Sequence, residues 1–303
     1  MNNLLTIGFF DGVHRGHAAL LRYADARAAE KGLSPAVLTF DGLRTVKNAE
    51  ELNLPEDRDL LIRRISPDTR VYALRFDNDL RALSAEDFFR SWLVSRFDAR
   101  HFVVGENFTF GRDRRDAACL ASLAAREGLS SDILPLSGDG DGAISSSRIR
   151  SLLQEGLVPE ANALLGHAHM IRGTVEGGRH VGRTLGFPTV NLPYPQELVT
   201  MPLGVYAARV TLEDRRRFRA VLNLGRRPTF GPGGNVVLEA HLLGFEGGLY
   251  GMTVEIGFEK FLRRERRFAS PEDLRAAVDA DKRKADSYLA ELEEKERKLQ
   301  HAL

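Results

Sequence analysis

The chain has 303 residues, 43% of them hydrophobic, which is enough for two cores of roughly 150 residues each. Its 43 Lys and Arg nearly balance 42 Asp and Glu, so no global charge points to nucleic acid or an anionic membrane. No apolar run approaches the roughly 20 residues that span a bilayer. The start lacks the basic region of a signal peptide, and the single cysteine, Cys119, excludes an internal disulfide framework or a multi-cysteine zinc site. The cytoplasm is the expected compartment.

Residues 1–150 alternate short apolar strands with amphipathic helices, the pattern of a parallel sheet covered on both faces. Residues 4–10 read as a strand, Asp11-Gly12 as its turn, and a helical pattern with Leu20, Leu21 and Tyr23 runs to a stop at Gly32. His14 and His17 are expected to share the first helical turn, where unpaired N–H groups and the helix dipole favour an anion. Gly16 between them lets a phosphate approach the backbone. Residues 36–40, 71–74, 102–104 and 133–134 read as further strands. Ser84-Ala85-Glu86-Asp87 starts a helix carrying Phe88, Trp92 and Leu93. The loop Gly105-Glu106-Asn107-Phe108-Thr109-Phe110-Gly111 and the serine-capped start Ile144-Ser145-Ser146-Ser147-Arg148-Ile149-Arg150 follow strands, where open α/β sheets bind ligands. Arg150 can fork onto phosphate oxygens.

A boundary is expected between 156 and 166, after which the composition changes. Strands at 171–175, 204–212, 220–224, 236–243 and 253–261, punctuated by Gly and Pro, predict a small closed antiparallel barrel. Ser270-Pro271-Glu272-Asp273 opens a terminal helix with Leu274, Val278, Ala285 and Leu289 on its packing stripe, and its charged end, 291–298, reads as a solvated face. The stretch 177–184 nearly spells a P-loop, but Gly186 and Pro188 follow it where a P-loop opens a helix, so it reads as a phosphate-covering flap. The hydroxyl of Thr189 suits a hard cation such as Mg²⁺. By themselves Thr189 and Asn191 are more often turn-formers, and Glu239 between Leu238 and Ala240 is more readily a solvent-facing strand residue. The arginines at 215–217 and 263–267 read as solvated strand ends, and His167 with His169 as no metal site for want of a third ligand.

The run Gly8-Phe9-Phe10-Asp11-Gly12-Val13-His14-Arg15-Gly16-His17 resembles the H-x-G-H signature of the nucleotidylyltransferases, in the form found in bacterial bifunctional riboflavin kinase/FAD synthetases. Residues 144–150 resemble that family's I-S-S-T-x-x-R motif, with Ser147 in place of threonine. The run Gly182-Arg183-Thr184-Leu185-Gly186-Phe187-Pro188-Thr189-Val190-Asn191 resembles the riboflavin kinase signature, with Val190 the one change in its Pro-Thr-Ala-Asn core. Asn223-Leu224-Gly225-Arg226-Arg227-Pro228-Thr229-Phe230, Leu238-Glu239-Ala240-His241, Leu249-Tyr250-Gly251 and Phe261-Leu262-Arg263 follow in the family's order. One departure stands out: the family's Phe-x-Pro-His-Pro segment is here Phe40-Asp41-Gly42-Leu43-Arg44, followed by an unusually polar stretch from 46 to 60.

The resemblance implies a Rossmann-like nucleotidylyltransferase domain at 1–156 and a small β-barrel riboflavin kinase domain with a terminal helix at 166–303. It implies ATP-dependent conversion of riboflavin to FMN, then of FMN to FAD with release of pyrophosphate. His14, His17 and Arg150 would stabilise phosphate charge, and Glu239 would be the base that takes the riboflavin hydroxyl proton. Gly8, Phe10, Asp11, Gly16, Asn107, Ser145 and Ser146 would bind nucleotide or flavin in the first domain. Gly182, Arg183, Thr184, Gly186, Pro188, Asn191 and Arg263 would do so in the second, with Thr189 and Asn191 holding Mg²⁺ with ATP. The implied partners are these small molecules and downstream flavoproteins, with no nucleic acid and no membrane. The missing Pro-His-Pro keeps a second reading open, a riboflavin kinase whose first domain is degenerate, structural or regulatory.

Overall fold

The structure, a computed structural model, describes residues 2–42, 49–140, 142–175, 189–226 and 235–301. The chain divides into two compact units, 1–149 and 150–303, each with its own sheet.

The first unit is built on five parallel strands in the order β3-β2-β1-β4-β7: β1 (Asn3–Ile7), β2 (Ser34–Asp41), β3 (Arg70–Arg75), β4 (Ala99–Gly105) and β7 (Ser130–Leu134). Every residue of β1 is buried, as expected of a central parallel strand covered on both faces. Helices α1 (Arg15–Lys31), α2 (Pro55–Ile65), α3 (Asn78–Ala82), α4 (Ala85–Phe88) and α5 (Ala117–Arg126) accompany the sheet, and α6 (Ser146–Glu155) begins in this unit and runs past its boundary at 149. Two short hairpins, β5 (Thr109–Phe110) with β6 (Arg115–Asp116) and β8 (Gly138–Asp139) with β9 (Gly142–Ala143), extend loops beyond β4 and β7. Leu5, Leu38, Phe40, Phe89 and Phe102 centre the main core. Strand order reverses between β1 and β4, which marks the crevice where such sheets bind ligands.

Three local expectations change. The first strand ends at Ile7 rather than at 10, because Phe10 and Val13 have φ of 52° and 40°, which an extended strand cannot contain. The helix begun at Ser84 widens after Phe88 into a π-helix, Phe89–Arg96, closed by a bond from the Phe97 amide to the Trp92 carbonyl. The polar stretch before residue 60 contains α2, in which Asp57 and Arg58 are buried.

In the second unit six antiparallel strands run in the order β10-β15-β12-β13-β14-β11: β10 (His169–Thr174), β11 (Thr189–Pro193), β12 (Gly204–Leu212), β13 (Arg217–Arg226), β14 (Val236–Leu242) and β15 (Thr253–Arg264). The sheet curls into a half-barrel. Among the described residues β10 and β11 are its edges, yet a Cβ on Gly173 of β10 would meet the Leu192 side chain of β11 at 3.2 Å. Inside the curl Tyr206 meets Phe258 edge-on and Phe261 at a tilt, 5.2 and 5.0 Å between ring centres, and its hydroxyl donates to the Pro202 carbonyl. Helix α7 (Val158–Leu165) is tied to this sheet by Asn162, which donates to the Phe258 carbonyl and accepts from the His169 amide.

The long helix α8 (Pro271–His301) covers the convex face, with Ala285 and Leu289 packed on Val205, Ala207 and Val221. Its stripe begins at Ala277 rather than at Leu274, which is 43% exposed. Nor is its charged end merely solvated. Arg219 forks onto Glu293 and reaches Asp286, and Arg209 bridges Glu296 and the buried Glu259. These arginines are direct cross-strand partners on β12 and β13, so the acidic run 286–296 reads as their complement. Burial pushes the Glu259 carboxyl above its usual range although Arg209 opposes this. Among the described residues no helix is long and apolar enough to cross a membrane.

Candidate active sites

In the first unit the chain leaves β1 at Gly8, whose amide bonds the Leu38 carbonyl, and turns tightly through Phe10 and Val13, both fully buried. Holding two non-glycine residues at positive φ costs about 1–3 kcal/mol each, which the surrounding packing must offset. The turn sets His14 as the N-cap of α1 and not within its first turn: its Nδ1 accepts the His17 amide at 3.3 Å. With Nδ1 accepting, the neutral His14 ring carries its proton on Nε2, as a donor. The two imidazoles stack 3.7 Å apart at 14°, and Phe10 packs 5.0 Å from His17. No acidic residue lies in the first turn of α1, so the positive end of the helix dipole is not neutralised locally.

Gly16 has a more definite part than close approach of a ligand. A Cβ there would meet the His14 ring at 3.2 Å and Ser137 at 3.5 Å, so glycine leaves room for the stacked pair. Asp11 is buried, and its carboxylate accepts the Leu52 amide at 2.7 Å, while its carbonyl accepts the Ser146 hydroxyl at 2.8 Å. Ser145 Oγ accepts the Arg148 amide at the start of α6. The H-x-G-H loop and the serine motif are therefore joined directly, by a bond between residues 135 apart in sequence. Arg150 lies four residues after Ser146 on the same helix, hence on the same side of it. Asn107 is exposed in the turn after β4, beside the stacked pair Phe108 and Phe110. That turn is fixed to β7 by the Glu106 amide on the Leu134 carbonyl and by the Glu106 carboxylate on the Leu136 amide. All these groups follow the carboxyl ends of β1 or β4, or belong to the α6 motif that Ser146 ties to the loop after β1.

At the second site Thr189 and Asn191 share one face of β11, and the Asn191 amide donates to Thr189 Oγ at 3.4 Å. Asn191 pairs across the ladder with Glu239 of β14, which pairs in turn with Asn223 of β13. Directly opposed side chains lie about 5 Å apart, so Asn191, Glu239 and Asn223 form a polar row. The alternate residues Val190, Leu192, Leu238, Ala240, Leu222 and Leu224 are buried on the other face, which fixes the direction of the row. Two side-chain oxygens from Thr189 and Asn191, two residues apart on one face, are a donor set suited to a hard cation that keeps several waters.

Asn223 was given no role by spacing alone; the cross-strand register is what finds it. Glycine at 225 keeps the space beside it open, since a Cβ there would meet Asn223 Nδ2 at 2.9 Å and Glu265 at 2.4 Å. Arg263 is turned elsewhere, forked on the buried Asp281 of α8 at 2.6–3.1 Å. Gly182, Arg183, Thr184, Gly186 and Pro188 lie outside the described residues. Among the described residues no group of three or more His, Cys, Asp or Glu is placed to hold a metal.

Residues 1–148 match the family model described as FAD synthetase, and residues 165–289 match the one described as riboflavin kinase. A bifunctional riboflavin kinase/FMN adenylyltransferase of Listeria monocytogenes is 31% identical, covering 97% of this chain and 95% of that protein. One of Pseudomonas fluorescens is 35% identical, covering 91% and 89%. A crystal structure titled as a macrolide-efflux protein from Streptococcus pneumoniae superposes with a TM-score of 0.81 at 30% identity, covering 93% of each chain. Enzyme models matching both halves favour two activities over a kinase with a degenerate appendage. The chain belongs to the family of bifunctional riboflavin kinase/FMN adenylyltransferases and is a bifunctional transferase of flavin cofactor biosynthesis.

Proposed function

We propose that the segment 1–156 joins FMN to the AMP moiety of ATP, and that the segment 166–303 phosphorylates riboflavin. In the first reaction a phosphate oxygen of FMN attacks the α-phosphorus of ATP and pyrophosphate leaves, so no protein nucleophile is required. The Nε2 proton of His14, His17 and the positive end of the α1 dipole meet the phosphates, and Arg150 adds a planar fork as charge develops. Asp11 and Ser146 hold the loop that presents the histidines, and Asn107 would contact the flavin or the adenine.

In the second reaction Glu239 takes the proton of the riboflavin 5′-hydroxyl as its oxygen bonds to the γ-phosphorus and ADP departs. Thr189 and Asn191 would hold Mg²⁺, which supplies charge neutralisation across the phosphates when bound. Gly182, Arg183, Thr184, Gly186 and Pro188 are assigned to nucleotide phosphates through the family signature. The Arg263–Asp281 fork supports a positioning part for Arg263, anchoring α8 beside the row. A cytoplasmic location suits a chain with one cysteine and small-molecule substrates.

The observation that carries this reading is that each compact unit has its own polar site, a helix-capping histidine pair in one and a cross-strand Asn-Glu-Asn row in the other. The test is product chromatography after incubation with riboflavin, ATP and Mg²⁺, and in parallel with FMN. FAD is expected from both, and His17→Ala should abolish FAD while FMN formation continues. FMN without FAD from the unsubstituted protein would remove the first activity; no flavin product would remove both.

A further inference from the structure

Asn53 is 2% exposed, and among the described residues neither its amide nitrogen nor its amide oxygen has a hydrogen-bond partner. A carboxamide offers two donors and two acceptor lone pairs, and a buried group with none of them used is rare in folded proteins. Its place in the first unit is fixed from both sides. Just before it, the Leu52 amide is held by the Asp11 carboxylate of the H-x-G-H loop at 2.7 Å. Just after it, Arg58 of α2 donates to the Phe40 carbonyl at 3.1 Å and to the Asp41 carboxylate at 2.5 Å, at the carboxyl end of β2. The segment 52–58 is thus stitched across the ends of β1 and β2, on the edge where sheets of this kind take ligands.

From this juxtaposition we infer that the Asn53 carboxamide reads the donor–acceptor edge of a heteroaromatic ring in the adenylyltransferase site. The inference rests on the adenylyltransferase reading of the first unit. Phosphate is excluded as its ligand by charge, since Glu56 and Asp57 occupy the first turn of α2 immediately beyond it. A flavin presents C=O, N–H and C=O along its pyrimidinedione edge, and adenine presents an amino group beside a ring nitrogen. Either pairs with a carboxamide that donates through nitrogen and accepts through oxygen.

The experiment uses full-length protein carrying Asn53→Leu or Asn53→Ser, with KM for FMN and for ATP measured in FAD formation and riboflavin phosphorylation measured on the same samples. A rise of roughly tenfold in one KM is expected, the loss of about one well-made hydrogen-bond pair. A rise for FMN identifies the flavin edge and a rise for ATP the adenine edge, with kcat for FAD formation and the KM of the other substrate retained as evidence that the first unit is folded. Asn53→Leu should also raise the melting temperature without ligand, because an unpaired amide is removed from an apolar site. Both KM values unchanged within twofold, in either variant that still forms FAD, would overturn the inference and leave Asn53 a site for buried water. A wild-type protein that forms no FAD would overturn the adenylyltransferase reading itself, a different failure.

Discussion

The two units place charge-handling groups by opposite means. In the first, His14 and His17 stand on a tight loop with two residues at positive φ, and their positions depend on backbone bonds such as Asp11 to Leu52 and Ser146 to Asp11. In the second, Thr189, Asn191, Asn223 and Glu239 stand on paired strands, and their positions follow from alternation and register. A loop-built site can point several backbone amides at one anion, at the cost of conformational strain. A strand-built site keeps unstrained backbone and spaces its side chains at the interval of the ladder. Substitutions should therefore act differently in the two: through geometry in the first, through the lost functional group in the second.

The sharpest break is Glu239→Gln, which keeps the shape of the row and removes its base. Riboflavin phosphorylation should fall by roughly 10²–10⁴-fold, the usual worth of general-base help, with FAD formation from supplied FMN unchanged. Steady-state rates on the two substrates test this, and an equal loss in both would show that the units do not work independently. Next comes His17→Ala. Removing one preorganised partner of the phosphates should lower FAD formation by roughly 10²–10³-fold and leave the kinase intact.

Gly16→Ala separates geometry from chemistry. It deletes no functional group and favours the helix by up to about 1 kcal/mol. Yet the added methyl meets the His14 ring at 3.2 Å and must displace it from the stack with His17. FAD formation should fall by about tenfold while thermal stability holds or rises, since small misplacements near reacting groups cost rate. A variant with full activity would show that the stacked arrangement is not what the site uses.

These two modes also explain what the sequence could and could not reveal. H-x-G-H and Pro-Thr-Val-Asn are local in the chain, so spacing within one turn or strand exposes them, and the alternation of strands and helices exposes both sheets. Asp11 with Leu52, Glu239 with Asn191 and Asn223, and Arg263 with Asp281 are contacts between distant segments, set by register and packing that spacing does not encode. The left-handed turns at Phe10 and Val13 were hidden for a different reason: apolar residues in sequence favour a continued strand, and tertiary burial overrides that preference. The acidic run on α8 reads as solvated in sequence because its arginine partners lie on two distant strands, β12 and β13.

The smallest effect on turnover, and a test of stability rather than catalysis, concerns His169, which lies fully buried at the start of β10 against Phe258. Burial holds its imidazole neutral, with the pKa pushed down to about 3 from 6.5, and His167 adds to the shift. An unfolded chain takes up this proton near pH 6.5 and the folded chain does not, so acid favours unfolding. Stability contributed by the neutral ring is complete above about pH 6.5 and is lost progressively from there towards pH 3, by about 2 kcal/mol at pH 5. His101 in the first unit is shifted the same way by burial, but its Nε2 faces Asp132, which opposes the shift, so its share of the acid sensitivity should be smaller. His169→Phe should therefore flatten much of the fall in melting temperature between pH 8 and pH 5 while leaving both activities at neutral pH unchanged. Equal pH slopes in the variant and the unsubstituted protein would mean that acid enters through other groups, and that the buried ring is a packing residue only.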